Sequence, residues 1–468
     1  MNFISSIYFF FMIGCFFLYW HAPIKYRNII LLILSCFFYA YYSWRFLGLI
    51  AVSILTSYYC GNRILPHDHS RKRKKWLAFS IVINIGLLGY FKYIDFFIVN
   101  INNFLYSIGF EKTLELLNII LPIGISFYIF QSLTYPLDIY FRKMSPNKSF
   151  IDFATYVTFF PKLISGPIER ASIFLNQLMI PKRFIGEDLQ EGCARILTGI
   201  FKKAVIADNL SKQLVSPVFS NPGNYNTASV WIAMFSYAIQ IYADFSGYSN
   251  IAIGSARLFG FKIPENFSFP YLALDFSDFW RRWHITMSTF FRDYIYIPLG
   301  GNRCSNIRVA FNLFVTMLLC GLWHGAAWTF ILWGVLHGLM LILNHFIKEI
   351  EFLKKLDLLV IPVGWFFTQI GVCLAWVFFR SDNFSIAIIF IKSLFLTSGY
   401  NCLNISWTCY ACIVFFIIDH LYGLLNQYNE NIIQKISATY KAMVYVMMVI
   451  IAYNIIPDQK SQFIYFNF

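Results

Sequence analysis

Two stretches of the chain concentrate the residues able to do chemistry. The first runs Asp275-Phe-Ser-Asp278-Phe-Trp280-Arg281-Arg282-Trp283-His284. On a helix, Asp278 stands three residues before Arg281 and four before Arg282, spacings at which a carboxylate pairs with either guanidinium. The i, i+4 spacing likewise puts Trp280 and His284 on one face. Charges at low dielectric need partners, so a lattice with the carboxylate, or contact with lipid headgroups, is the expected role of Arg281 and Arg282. Contact with the phosphates of a donor is the alternative, because guanidinium binds phosphate bidentately. The second stretch is Gly321-Leu-Trp323-His324-Gly325-Ala-Ala-Trp328, followed by Gly334-Val-Leu-His337-Gly338. Each histidine lies within a G-x-x-x-G, a spacing that lets helix backbones approach closely. A histidine held there inside a membrane is costly and is a functional candidate. Thirteen residues separate the two, which on one straight helix is about 20 Å of rise and roughly 220° of rotation. They therefore do not face one site unless the helix breaks. His324, nearer the polar segment, is the candidate for the active centre, and His337 is expected to be a packing histidine bonded across helices. An imidazole, whose ordinary pKa lies near neutrality, suits general-base activation of a hydroxyl in a dry, aromatic-lined cavity. Phosphate-binding loops, serine-nucleophile elbows and zinc-protease motifs are absent. No metal site is expected, since the histidines lack convergent carboxylates.

The elements that must position these residues are membrane helices. Apolar residues make up 58% of the 468, charged residues 13% and aromatic residues 20%. Mean hydropathy is +0.60. Soluble domains run near ~45–50% apolar and ~25% charged. The composition excludes a disordered chain and a disulfide-stapled secreted module, argues against a soluble multidomain enzyme, and predicts an all-α polytopic membrane protein. Apolar runs at about 3–20, 28–44, 46–60, 76–98, 115–138, 194–217, 228–256, 307–322, 326–346, 358–379, 384–397, 407–425 and 440–456 predict roughly eleven to thirteen helices, some partial. The N-terminal run MNFISSIYFF has no basic residue and no small-residue cleavage site follows, so it reads as a retained first helix. No internal repeat is visible, which weakens a transporter of inverted halves. Residues 151–193 and 262–306 are too polar to lie naked in lipid and must be re-entrant, interfacial or buried against helices.

The net charge of +14 reads as a topology signal rather than a nucleic-acid surface. Loops 21–27, 61–75 and 139–150 carry the bases, which puts them in the cytoplasm and the N-terminus outside. Cys409 and Cys412 form a lone C-x-x-C and are expected as buried small hydrophobes. His67 and His69 in the basic loop, with His21, His345 and His420 near helix ends, are expected at interfaces or surfaces.

The stretches LPIGISFYIFQSLTYPLDIYFRK (121–143), FPKLISGPIER (160–170), YADFSGYSNIAIGSARLFGF (242–261), FSDFWRRWHITMSTFFRDYIYIPLGGNR (276–303) and GLWHGAAWTFILWGVLHG (321–338) carry a family resemblance. In that order they resemble the membrane-bound O-acyltransferase family, and within it the bacterial alginate and peptidoglycan O-acetyltransferase branch. The resemblance implies one integral-membrane domain over 1–468, with peripheral helices about 1–110, a catalytic core about 115–346 and C-terminal helices about 356–457. It implies a bundle of transmembrane and re-entrant helices around a transmembrane tunnel. The family's invariant histidine falls on His324. Its second polar position, often Asn in eukaryotic lipid-acylating relatives, falls on His284. The resemblance makes His324 the general base and gives His284 the role of positioning the donor or bonding the oxyanion. Trp323, Trp328 and Trp283 line the cavity, and Arg281, Arg282, Asp278, His337 and Asn302, the last in the GGNR stretch Gly300–Arg303, are further lining candidates.

No permanently bound cofactor is implied. Acetyl-CoA is the expected acyl donor, an extracytoplasmic polysaccharide such as peptidoglycan or alginate the acceptor, and a separate periplasmic SGNH-type acetyltransferase or esterase the partner. Membrane lipid surrounds the chain and no nucleic acid is involved. The expected location is the bacterial cytoplasmic (inner) membrane. D-alanyl transfer from a carrier protein and a non-enzymatic transporter or flippase are the rival readings.

Overall fold

The computed structural model describes residues 3–64, 70–110, 113–350, 357–396, 399–428 and 437–457. In chain order the principal helices are α1 (Ser6–His21), α2 (Arg27–Ser43), α3 (Leu47–Ile64), α4 (Ser70–Ser107), α5 (Ile125–Tyr140), α6 (Phe150–Thr158), α7 (Ala171–Met179) and α8 (Gly186–Ile200). They continue with α9 (Thr227–Leu258), α10 (Phe276–Arg282), α11 (Ile285–Phe291), α12 (Asn306–His324), α13 (Trp328–Ile347), α14 (Asp357–Arg380), α15 (Phe384–Ser393), α16 (Trp407–Tyr428) and α17 (Ala438–Ile455). Among the described residues the only β pairing is an isolated bridge between Tyr225 and Asn401. Helices prevail because hydrocarbon offers backbone N–H and C=O groups no other partner.

Among the described residues six stretches are long and apolar enough to cross a membrane: Ile24–Ile64, Ser70–Ser107, Asn306–His324, Trp328–Ile347, Pro362–Arg380 and Trp407–Asn426. Ser6–His21, Phe384–Ser393 and Thr439–Ile455 are shorter apolar helices. Phe10, Val82, Leu343 and Met447 are among many large apolar side chains left exposed on these helices, a surface that suits lipid and not water. The chain is an all-α, multi-pass membrane protein.

The chain divides into two compact units, Met1–Ile196 with Ile251–Pro264, and Leu197–Asn250 with Glu265–Phe468. In the first unit α3 and α4 are joined by a polar ladder, in which Asn84 donates to Ser57 Oγ at 3.2 Å and accepts from Ser53. The irregular stretch after α6 is buried, as expected of 151–193. Lys162 and Glu169 pair there at 3.4 Å with both side chains fully enclosed. Gly166 permits the turn, since a Cβ on it would meet Lys162 Cα at 2.4 Å.

Two expectations change here. The basic run is helical rather than a loop: Arg71–Lys75 form the first turns of α4. That helix has 38 residues, about 57 Å at ~1.5 Å per residue against ~30 Å of hydrocarbon, so its basic end extends beyond the apolar core. Residues 65–69, with His67 and His69, lie outside the described residues. The apolar run at 115–138 becomes helical only at Ile125. Its earlier part is irregular and tied down by Asp95, which accepts from the backbone N–H of Leu117 and Ile119.

In the second unit Lys203 reaches Asp208 and Asp244 at 2.8 Å each, all three buried. Cys409 and Cys412 are buried in an apolar cluster with Phe201 and Leu210, as expected. His420 is not at a surface: it is 6% exposed and packs on Phe416 at 4.2 Å.

Candidate active site

All the residues of interest lie in the second unit, and the site starts from a helix cap. Asp275 precedes α10, and its Oδ1 accepts from the Asp278 N–H at 2.9 Å, the pattern that favours aspartate at an N-cap. The same carboxylate accepts from Asn344 at 3.2 Å and pairs with Lys348 at 2.9 Å. Asp275 thus anchors α10 to the C-terminal end of α13. Burial opposes ionisation of Asp275, but the Lys348 ammonium, the Asp278 N–H and the Asn344 amide outweigh it and hold the carboxyl below its ordinary value. Asp278 has a choice of two arginines by spacing, and the structure selects Arg282, whose Nε donates at 2.9 Å. Arg282 also donates to the Ser268 carbonyl at 3.4 Å. Arg281 is exposed, with Nε on the Ser277 carbonyl.

The helix ends at Arg282, and this overturns the shared face of Trp280 and His284. His284 adopts φ +42°, a left-handed conformation uncommon outside glycine. Its side chain is fully buried. Asn266 organises the bend. Its Oδ1 lies 3.0 Å from His284 Nδ1 and accepts from Thr286 Oγ1 at 2.8 Å and Thr286 N at 3.3 Å. Its backbone carbonyl accepts from the Ile285 N–H at 2.9 Å. A side-chain oxygen beside Nδ1 favours the tautomer with the proton on Nδ1, leaving Nε2 basic. Phe245 stands edge-on to the imidazole at 4.7 Å.

His324 is the last residue of α12, and α13 begins at Trp328. The two helices form a hairpin packed backbone to backbone. A Cβ on Gly321 would meet the Phe330 carbonyl at 2.4 Å, and one on Gly334 the Met317 carbonyl at 2.6 Å. Gly325 is similarly required, because a Cβ would strike the Phe330 ring at 2.2 Å. The break at 325–327 is the interruption that the thirteen-residue spacing demanded. His324 is 2% exposed. Three rings enclose its imidazole: Trp333 at 4.8 Å, Trp323 at 5.0 Å and Phe379 at 5.1 Å. Trp323 also meets His284 at 5.9 Å, and Trp333 meets His337 at 4.6 Å. Three imidazoles and two indoles therefore alternate in the order His284, Trp323, His324, Trp333, His337.

Trp283 is fully buried and packs on Trp376 at 4.9 Å. His337 is fully buried, but the expected hydrogen bond across helices is absent, since neither ring nitrogen has a partner among the described residues. Two expected lining residues are exposed. Trp328 is 54% exposed, because it occupies the first turn after the chain reverses; Trp333, five residues on, takes the inward position. Asn302 is exposed in a turn with Gly300 and Gly301 at positive φ, where it accepts from the Tyr296 hydroxyl. Asn266, Trp333, Trp376 and Phe379 were not singled out from the sequence. Trp333 lay inside a motif already marked by its histidines, whereas Asn266 gave no signal beyond a polar residue in an irregular segment. No group of three or more His, Cys, Asp or Glu suited to a metal is present among the described residues.

A family model for the membrane-bound O-acyltransferase family matches residues 142–412. The chain is 39% identical over 391 residues to the probable alginate O-acetylase AlgI of Azotobacter vinelandii, covering 83% of this chain and 76% of that protein. It is 34% identical over 457 residues to the peptidoglycan O-acetyltransferase of Helicobacter pylori, covering 90% and 82%. Similarity to the teichoic acid D-alanyltransferase of Bacillus subtilis is 26% over 243 residues, covering 50% and 61%.

Proposed function

The chain belongs to the membrane-bound O-acyltransferase family and is an acyltransferase, and we propose that it passes an acetyl group from acetyl-CoA in the cytoplasm to an extracytoplasmic polysaccharide, with His324 as general base. The observation that carries this reading is the position of His324: buried at a helix break, inside a wall of three aromatic rings. A dry imidazole of this kind is suited to take a proton from a hydroxyl.

His324 removes the acceptor hydroxyl proton as the oxygen attacks the thioester carbonyl. The C–O ester bond forms, the C–S bond breaks, and the proton passes to the departing thiolate. His284, oriented through Asn266, positions the donor or bonds the oxyanion that develops on the carbonyl oxygen. Arg281, exposed, is the residue placed to meet the donor's phosphates, since Arg282 is engaged with Asp278.

The relatives named for alginate and peptidoglycan acetylation support a polysaccharide acceptor. We favour peptidoglycan, reached through a periplasmic SGNH-type partner. The more distant D-alanyl-transferring relative covers half of the chain and makes D-alanyl transfer the second reading. The basic residues of 21–27, 71–75 and 139–150 support an inner-membrane topology with the N-terminus outside.

The test is deletion of the gene, complementation with wild type or His324→Ala, and assay of base-labile acetate on each envelope polymer. Full acetylation restored by His324→Ala removes the general-base assignment. No polymer losing acetate on deletion removes the acetyltransferase reading.

A further inference from the structure

A second set of polar atoms lies one indole away from His324. His337 is fully enclosed, and both of its ring nitrogens lack a hydrogen-bond partner among the described residues. Its neighbours are the indoles of Trp333 at 4.6 Å and Trp280 at 5.1 Å, which themselves meet at 5.8 Å. The indole N–H groups of Trp280 and Trp333 are also buried and without partners among the described residues. Phe279 closes the cage, parallel to the imidazole at 6.3 Å. Buried polar groups are normally bonded, and leaving one unmet costs roughly 1–3 kcal/mol. Three side chains with unmet groups in contact with one another point to something bound between them.

Their chemistry restricts what that is. Each indole offers one donor, and a neutral imidazole offers one donor and one acceptor. A carboxylate would bury a charge among neutral groups and leave the imidazole acceptor unmet. A secondary amide meets three of the four and carries no charge: its carbonyl oxygen has two lone pairs for the two indole N–H groups, and its N–H meets the imidazole acceptor, leaving only the imidazole N–H. Its flat face also stacks on rings. On the thioester reading of the previous section, on which this inference rests, the donor carries such a group. In a pantetheine thioester two methylenes separate the sulfur from the first amide. The distance from the reacting carbonyl to that amide is on the order of 4–5 Å by standard covalent lengths. That is comparable to the 4.8 Å between the His324 imidazole and the indole of Trp333, one member of the set.

We propose that His337, Trp280 and Trp333 form an amide-binding subsite that holds the first amide of the donor's pantetheine arm and so sets the thioester carbonyl at His324. His337 is in this view a donor-binding residue rather than a packing histidine.

The experiment compares two small donors in membrane vesicles containing the full chain and the host's envelope polymer. S-acetyl-N-acetylcysteamine carries the amide; S-ethyl thioacetate lacks it. Thiol release and polymer-bound acetate are both followed. The wild type is expected to prefer the amide donor in kcat/KM. Trp280→Phe and His337→Phe keep a ring and delete the polar atoms, and each is expected to reduce that preference about tenfold, as for loss of one buried hydrogen bond. Equal loss on both donors means a structural role and overturns the proposal, as does a wild type without preference, the result expected if the cage holds ordered water only. Transfer from neither donor by the wild type, with acetyl-CoA also inert, overturns the thioester reading itself. Transfer from acetyl-CoA with an unchanged donor preference in both variants overturns the subsite alone.

Discussion

The imidazole of His324 stands edge-on to the indole of Trp333, with centroids 4.8 Å apart and an interplanar angle of 84°. The same indole meets His337, so two histidines thirteen residues apart in sequence share one ring. The hairpin between α12 and α13 makes this possible, and the first consequences concern that hairpin.

His324→Ala removes the proposed base without disturbing the ring wall by overpacking. Transfer is expected to fall by about 10²–10⁴-fold, the usual contribution of general-base catalysis, while the amount of folded protein in the membrane stays near wild type. Base-labile acetate on the acceptor polymer, normalised to protein level, measures this.

Gly334→Val is expected to prevent close packing of α12 on α13. Its Cβ would already meet the Met317 carbonyl at 2.6 Å and Gly321 Cα at 3.1 Å, and neither is a flexible side-chain end. A cost of about 1–3 kcal/mol or more follows from overpacking. Gly338→Ala meets Phe314 Cα at 3.3 Å and is expected to be milder. Thermal unfolding in detergent should rank them in that order, and a Gly334 variant as stable as wild type would contradict the packing described.

Asn266→Ala removes the acceptor beside His284 Nδ1 and both bonds to Thr286. The imidazole then loses its orientation while His324 and its rings remain. A drop in kcat on the order of 10²-fold is expected for a misplaced group of this kind, with a smaller change in KM. An equal rise in KM with kcat intact would assign Asn266 to substrate binding instead.

Asp275 gives a pH dependence of known sign. Its carboxyl is held below the ordinary value in the folded protein, so its stabilising effect is present above the unfolded-state value near ~3.9 and is lost as pH falls through the lower folded value. Stability of the wild type should therefore decline in acid below about pH 4, partly through this group. Asp275→Asn keeps a capping side chain but removes the charge that meets Lys348. The difference between wild type and variant in unfolding temperature is expected to shrink as pH is lowered from 7 to 3. A difference independent of pH would mean that the carboxylate charge does not anchor α10.

Much of the fold was legible because lipid imposes a simple rule. A run of apolar residues must become a helix, and the runs at 28–44, 307–322 and 326–346 became α2, α12 and α13 with shifts of a few residues. The exceptions have local causes: the start of α5 was delayed to Ile125 by a stretch bonded to Asp95, and the basic run extended α4 because lysine and arginine form helix well outside the hydrocarbon. Within the site, His324, His284 and Trp323 were marked by type and spacing. Trp328 and Asn302 are exposed, and residue type and spacing do not fix how far a side chain is buried at a chain reversal.

The sequence by itself determined that this is a helical membrane protein with its chemistry-bearing residues in 275–284 and 321–338, since composition, apolar run length and residue type are one-dimensional properties. Only the tertiary structure decided which of those residues meet. Asp278 pairs with Arg282 and not Arg281, between which spacing alone left the choice open, and Asn266, eighteen residues before His284, sets that imidazole because a left-handed turn brings it there. Trp333 separates His324 from His337 because a three-residue break folds one apolar run into two helices packed on glycine. Such pairings depend on where helices end and how closely they approach, and no local spacing encodes them.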